Sequence, residues 1–155
     1  MKKVTQRGFT LIELLVVIAI IGLLAAVVLA AVGSARTKGV DAAVKSQLDS
    51  AKGQAELYYS TNNTYGASGA LCTATQSNYG LASILANVAK DVSGVSVGTA
   101  QAVADATHVA CDSSATSWVV EAPITGTNNA WCVDSSGNSK AESNTWAAAA
   151  ATVCP

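Results

Sequence analysis

From Leu14 to Val32 the chain runs for 19 consecutive residues without a polar side chain, and no charge stands between Glu13 and Arg36. A helix of about 20 such residues crosses the hydrocarbon core of a bilayer, so the pattern predicts a membrane-length helix. Beyond it the pattern changes character. Val40, Val44, Leu48, Ala51, Ala55 and Tyr58 recur at spacings of three and four, while Lys38, Asp41, Lys45, Asp49, Lys52 and Glu56 fall between them. That alternation predicts a helix with one buried face and one wet face. Gly33, Gly39 and Gly53 each lower local helix propensity by about 1 kcal/mol relative to Ala. The helix is expected to end near Tyr59–Ser60, where Ser60-Thr61-Asn62-Asn63 supplies turn chemistry.

The rest of the chain is punctuated more finely. Leu81–Lys90 reads as a short helix, and Val92–Val97, His108–Cys111, Trp118–Glu121 and Ala130–Val133 read as strands. The last of these runs into Asp134-Ser135-Ser136-Gly137, a turn signal. Ala147–Ala151 is compatible with helix. A long helix followed by short strands predicts an α+β fold, in which a long N-terminal helix with a membrane-spanning first half packs on a small antiparallel sheet. Trp118, Trp131 and Trp146 read as packing residues of that head rather than a sugar platform.

Composition narrows the chemistry. Only 12% of the residues are charged, against roughly 25% in an ordinary soluble protein. The net charge of −1 offers no basic footprint for sequence-specific nucleic-acid binding. Gly94-Val95-Ser96-Val97-Gly98 matches a hydrolase elbow, with Asp105 and His108 following in order. That motif needs a strand–turn–helix in a much larger parallel sheet, and Asp105 and His108, only three positions apart, do not suit it, so no catalytic residue is assigned. A single histidine excludes a multi-histidine metal site, and Asp112 and Asp134 lack calcium-loop spacing, so neither metal nor cofactor is expected. Asn62-Asn63-Thr64 fits an N-glycosylation acceptor, a pattern too common to carry a claim.

Orientation rests on the cysteines. Lys2, Lys3 and Arg7 precede the apolar run and Arg36, Lys38 and Lys45 follow it, so counting positive charges gives a tie. Cys72, Cys111, Cys132 and Cys154 all lie after the run, none with C-x-x-C spacing. An even number in a loop-rich region points to disulfides and an oxidising compartment, which places the C-terminal part outside and the first eight residues inside. Four cysteines allow three connectivities.

Glu13 is the odd residue. A carboxylate at the centre of a span costs about 2.5–3.5 kcal/mol on insertion scales, so an intramembrane acid is a functional suspect. Its surroundings read Arg-Gly-Phe-Thr-Leu-Ile-Glu from Arg7 to Glu13, with a short basic leader before and an apolar helix after. This closely resembles the N-terminal signal of type IV pilins and the related pseudopilins, over roughly residues 1–35 and more loosely to Tyr65. An ordinary secretory signal fits less well. Ala31-Val32-Gly33 passes as its cleavage site, but the apolar run is too long and Glu13 interrupts its start.

The resemblance implies that a prepilin peptidase cuts between Gly8 and Phe9 and methylates the new N-terminus at Phe9. It implies that Glu13 sets the register of a filament by pairing with the amine of a neighbouring subunit. Removing residues 1–8 deletes three of the nine positive charges and takes the formal net charge from −1 to −4, before the new amine is counted. The expected organisation is therefore a leader at 1–8, a polymerisation helix at 9–33, its amphipathic continuation at 34–60 and a disulfide-bearing head at 61–155. The expected pairing is Cys72 with Cys111 and Cys132 with Cys154, the second closure resembling the C-terminal staple of many pilins. Trp131 would shield that bridge if its side faces the core. Many pilins also carry a proline within the apolar helix. Here Ala30 stands in that neighbourhood, no proline precedes Pro123, and any unwinding would fall around Gly22.

The implied function is structural, not enzymatic: a type IV pilus subunit for adhesion, motility or DNA uptake, with a pseudopilin of a type II secretion system as the alternative. A membrane-tethered monomeric binding module would show neither the cleavage nor any dependence on Glu13. The implied partners are like subunits, the prepilin peptidase, an inner-membrane assembly platform and, before assembly, lipid. The implied location is the inner membrane as a single-pass protein, N-terminus cytoplasmic, and then the extracellular filament.

Overall fold

A computed structural model describes residues 8–92, 95–98, 108–124, 129–143 and 153–154. The chain divides into two compact units, the first ending at Arg36 and the second beginning at Thr37. One helix, α1 (Leu11–Asn62), supplies residues to both. Gly22, Gly33, Gly39 and Gly53 all sit inside it as helix, so no unwinding is seen at Gly22. Each of the four faces open space, and propensity alone does not break a helix of 52 residues.

In the first unit every side chain of α1 is exposed up to Arg36. Its membrane-length apolar window has none of its residues buried.

The second unit is organised by the stripe that the spacing predicts. Val44, Leu48, Ala51 and Ala55 are fully buried, with Val40 and Tyr58 half-buried at its ends. α1 runs two residues beyond its expected stop, and side chains of its last turn bond back onto its carbonyls. Ser60 and Thr61 Oγ atoms both donate to the Leu57 carbonyl, and Asn62 Nδ2 donates to that of Tyr58. Asn63 then turns the chain at φ 55°.

Next come α2 (Ala70–Thr73), a 3₁₀ turn at Gln76–Asn78 and α3 (Ala82–Asp91). Leu71, Leu81, Leu85 and Val88 from this region join the α1 stripe in one core. The strands β1 (Ser96–Val97), β2 (His108–Ser113), β3 (Trp118–Pro123), β4 (Asn129–Asp134) and β5 (Ser139–Ser143) pair in sequence order. Val109, Cys111, Trp118, Val120, Ala122 and Val133 are the sheet's share of the core. β3 is buried along its whole length, because strand alternation sends Trp118, Val120 and Ala122 to the core and Val119 to a second cluster with Cys132 and Cys154.

Four expectations are corrected. Val92 is not in a strand: its N–H completes α3 by donating to the Val88 carbonyl, and the strand described in this stretch is Ser96–Val97. The sheet is not wholly antiparallel, since β1 lies parallel to β2 with Ser96 opposite His108. β5 was not foreseen, because Ser-Lys-Ala-Glu-Ser has no apolar alternation; a turn with Gly137 at φ 88° folds it back onto β4. Finally, Trp131 does not shield the bridge of its neighbour Cys132. Successive residues of a strand point to opposite faces, so Trp131 packs against the main core, with Lys45 Nζ 4.4 Å from its ring centre. Ala147–Ala151 and Trp146 lie outside the described residues.

Candidate functional site

The N-terminal turn of α1 is built from Thr10 and Glu13. Thr10 Oγ1 accepts from the Glu13 N–H at 3.2 Å, and the Glu13 carboxylate accepts from the Thr10 N–H and hydroxyl, each at 2.8 Å. This reciprocal arrangement is a capping box, which satisfies two of the backbone donors a helix start leaves open. The Thr-x-x-Glu spacing was in view in the sequence, but an acid inside an apolar run draws attention to membrane depth rather than to capping. Placing the carboxylate in the first turn also sets it at the positive end of the helix dipole.

Around this turn the geometry is open. Phe9 is 91% exposed. A Cβ added at Gly8 would meet nothing within 4 Å, so the fold itself makes no demand for glycine there. Beyond Glu13, α1 presents Leu, Ile and Val on all sides, interleaved with Ala19, Gly22, Ala25 and Ala26. Apolar side chains of this size are worth about 1.5–3 kcal/mol each when removed from water, so the segment requires lipid or other helices around it. Small residues allow those helices to approach closely.

The head carries both disulfides. Cys72 of α2 is joined to Cys111 of β2, and Cys132 of β4 to Cys154, each pair with Cα atoms 5.8 Å apart. The second bridge is seated by Asp134, the last residue of β4. Its buried carboxylate accepts from the N–H groups of Ser136, Asn138 and Cys154 at 2.9, 3.1 and 2.9 Å, and from Asn138 Nδ2 at 2.8 Å. Burial alone would raise its pKa. The donors from Asn138, Cys154 and Ser136 outweigh this and hold it below the ordinary aspartate value. A second tie is Tyr65, whose hydroxyl donates to Glu56 Oε1 at 2.8 Å. Burial first, and then the Glu56 carboxylate, push its pKa to about 12, so it remains a donor.

The hydrolase pattern falls partly outside the described residues. Ser96 lies on the two-residue edge strand, and Gly94 and Asp105 lie outside the described residues. Among the described residues no three His, Cys, Asp or Glu side chains are grouped to hold a metal ion.

In comparison with known families, residues 3–29 match the prokaryotic N-terminal methylation motif. Among curated proteins it is similar to the type IV wide pilus major component PilA4 of Thermus thermophilus, with 48% identity over 59 residues. That match covers 38% of this chain and 45% of the relative, so the chain spans less than half of the relative's length. No solved structure matches the chain.

Proposed function

We propose that this protein is the structural subunit of a type IV pilus, cut between Gly8 and Phe9 by a prepilin peptidase, N-methylated at Phe9 and polymerised through α1. The observation that carries this reading is the helix from Leu11 to Arg36. It is apolar on all sides, buries nothing in its own chain and opens on Glu13 beneath the methylation motif. Such a helix waits in the inner membrane as a single-pass anchor, N-terminus cytoplasmic, until an assembly platform transfers it into a bundle of like helices. A contact that repeats head to tail without closing builds a helical filament. The similarity to a pilus major component favours an extracellular pilus over the short filament of a pseudopilin. Electron microscopy of material sheared from the cell surface tests this, with the subunit identified by mass. Long filaments of a chain beginning at Phe9 are expected. A subunit beginning at Met1, or surface material without filaments, overturns the proposal.

A further inference from the structure

The last turn of α1 and the loop between α2 and α3 enclose an open cleft of about 290 Å³. That volume is near the small end of the range for ligand sites and suits a single ring rather than a drug-sized molecule. Its helix wall carries Tyr58, Thr61 and Asn62, and its loop wall Ser77, Asn78 and Tyr79. Among the described residues no Asp, Glu, Lys, Arg or His lines it. A phosphate, carboxylate or amine finds no counter-charge among these residues, and a purely apolar ligand would strip water from the remaining hydrogen-bonding capacity of the carboxamides and hydroxyls.

Both walls are held in place. On the helix, Thr61 Oγ1 and Asn62 Nδ2 are tied to the carbonyls of Leu57 and Tyr58. Tyr58 packs against the main core. On the loop, the N–H groups of Asn78 and Gly80 both donate to the Thr75 carbonyl at 3.0 Å, Leu81 N–H donates to Leu71, and Ser77 Oγ lies 2.9 Å from Thr75 Oγ1. Gly80 is obligatory, since a Cβ there would stand 2.1 Å from the Ala74 carbonyl oxygen. Next to it, Tyr79 sits at φ 58°, a conformation that a bulky side chain rarely adopts. The surrounding bonds impose that backbone, and the ring it carries is 41% exposed at the cleft rather than packed.

We propose that this cleft binds a neutral saccharide unit. Ring hydroxyls would be met by the carboxamides and hydroxyls of Asn62, Asn78, Thr61 and Ser77, and the apolar face of the sugar by a tyrosine ring. The sugar comes from outside the chain. Asn62 heads the Asn-Asn-Thr sequence, and its Nδ2 donates one of its two hydrogens to the Tyr58 carbonyl. One small cleft implies weak single-site affinity, with Kd on the order of 1 mM. The inference does not depend on the filament reading, although a repeating subunit would multiply the site.

Saturation-transfer NMR on the full chain, held in a detergent without a sugar headgroup, tests it. The probes are the methyl glycosides of glucose, galactose, mannose and N-acetylglucosamine. At least one is expected to receive saturation from the protein. Tyr79→Gly removes the ring and suits the positive φ, so it should melt no lower than the parent yet raise Kd about tenfold or more. Tyr79→Asn, also tolerant of that backbone, repeats the test if the glycine variant loosens the loop. Transfer to none of the four probes, or transfer unchanged in both variants, overturns the proposal. So does a mass analysis of native subunit that finds Asn62 glycosylated.

Discussion

Single residues in this chain act through what they leave open as much as through what they touch. Gly8 is the clearest case, because its surroundings would accept a side chain. Gly8→Leu is therefore expected to leave the melting temperature of the head unchanged while full-length protein accumulates in the membrane, as read by intact mass. A mature chain beginning at Phe9 in that variant would remove Gly8 from processing. Asp134 works in the opposite sense, through four donors aimed at one carboxylate. Its folded pKa lies below the unfolded value of about 3.9, so its contribution is complete above that pH and disappears as pH falls through the folded pKa. Asp134→Asn keeps one acceptor oxygen and removes the charge. It should destabilise the head by about 1–3 kcal/mol at pH 7 and flatten the decline of melting temperature as pH falls below about 4. A variant that melts with the parent's pH slope would show that Asp134 contributes only shape.

At the scale of elements, α1 is one helix governed by two solvents. In its second half the burial of Val44, Leu48, Ala51 and Ala55 is set by their spacing, and this stripe was legible because charged residues separate its members. β2, β3 and β4 were legible for a similar reason, each carrying apolar or aromatic residues between turn signals. β5 was not, because its pairing is a backbone matter of register behind the Gly137 turn. The start of β1 was misplaced because a β-branched Val92 looks like a strand residue even where its N–H closes a helix. At the candidate site, Gly8, Phe9 and Glu13 stood out by order, whereas Thr10 did not, since its role depends on a hydrogen bond. The two-solvent helix yields a direct contrast. Leu48→Ala, at a fully buried position, should destabilise the head by about 2–5 kcal/mol in thermal unfolding of the full chain in micelles. Leu23→Ala, at a position 70% exposed, should leave that transition in place. Equal losses from both would mean that the first half of α1 is part of the folding core.

For the whole molecule the question is what Glu13 does once many chains meet. Within one chain its carboxylate is occupied by the Thr10 N–H and hydroxyl, a local role that glutamine fills as well as glutamate does. Between chains, packing of small residues brings helices close but leaves their axial register poorly specified. A cationic amine at Phe9 of one subunit, paired with the Glu13 carboxylate of the next, would select one register and offset the cost of a charge held among apolar side chains. Capping and pairing therefore separate experimentally. Glu13→Ala removes both, and because it makes the span more apolar it should insert in the membrane at least as well as the parent. Glu13→Gln keeps the cap and loses the charge. If the carboxylate–amine pair sets register, both variants yield cleaved, membrane-resident monomer and few filaments when each is the sole copy. Filaments from Glu13→Gln but not from Glu13→Ala would assign the effect to the cap. Parental filament yield from both, measured in sheared fractions, would take Glu13 out of assembly altogether and leave it as the residue that starts a helix.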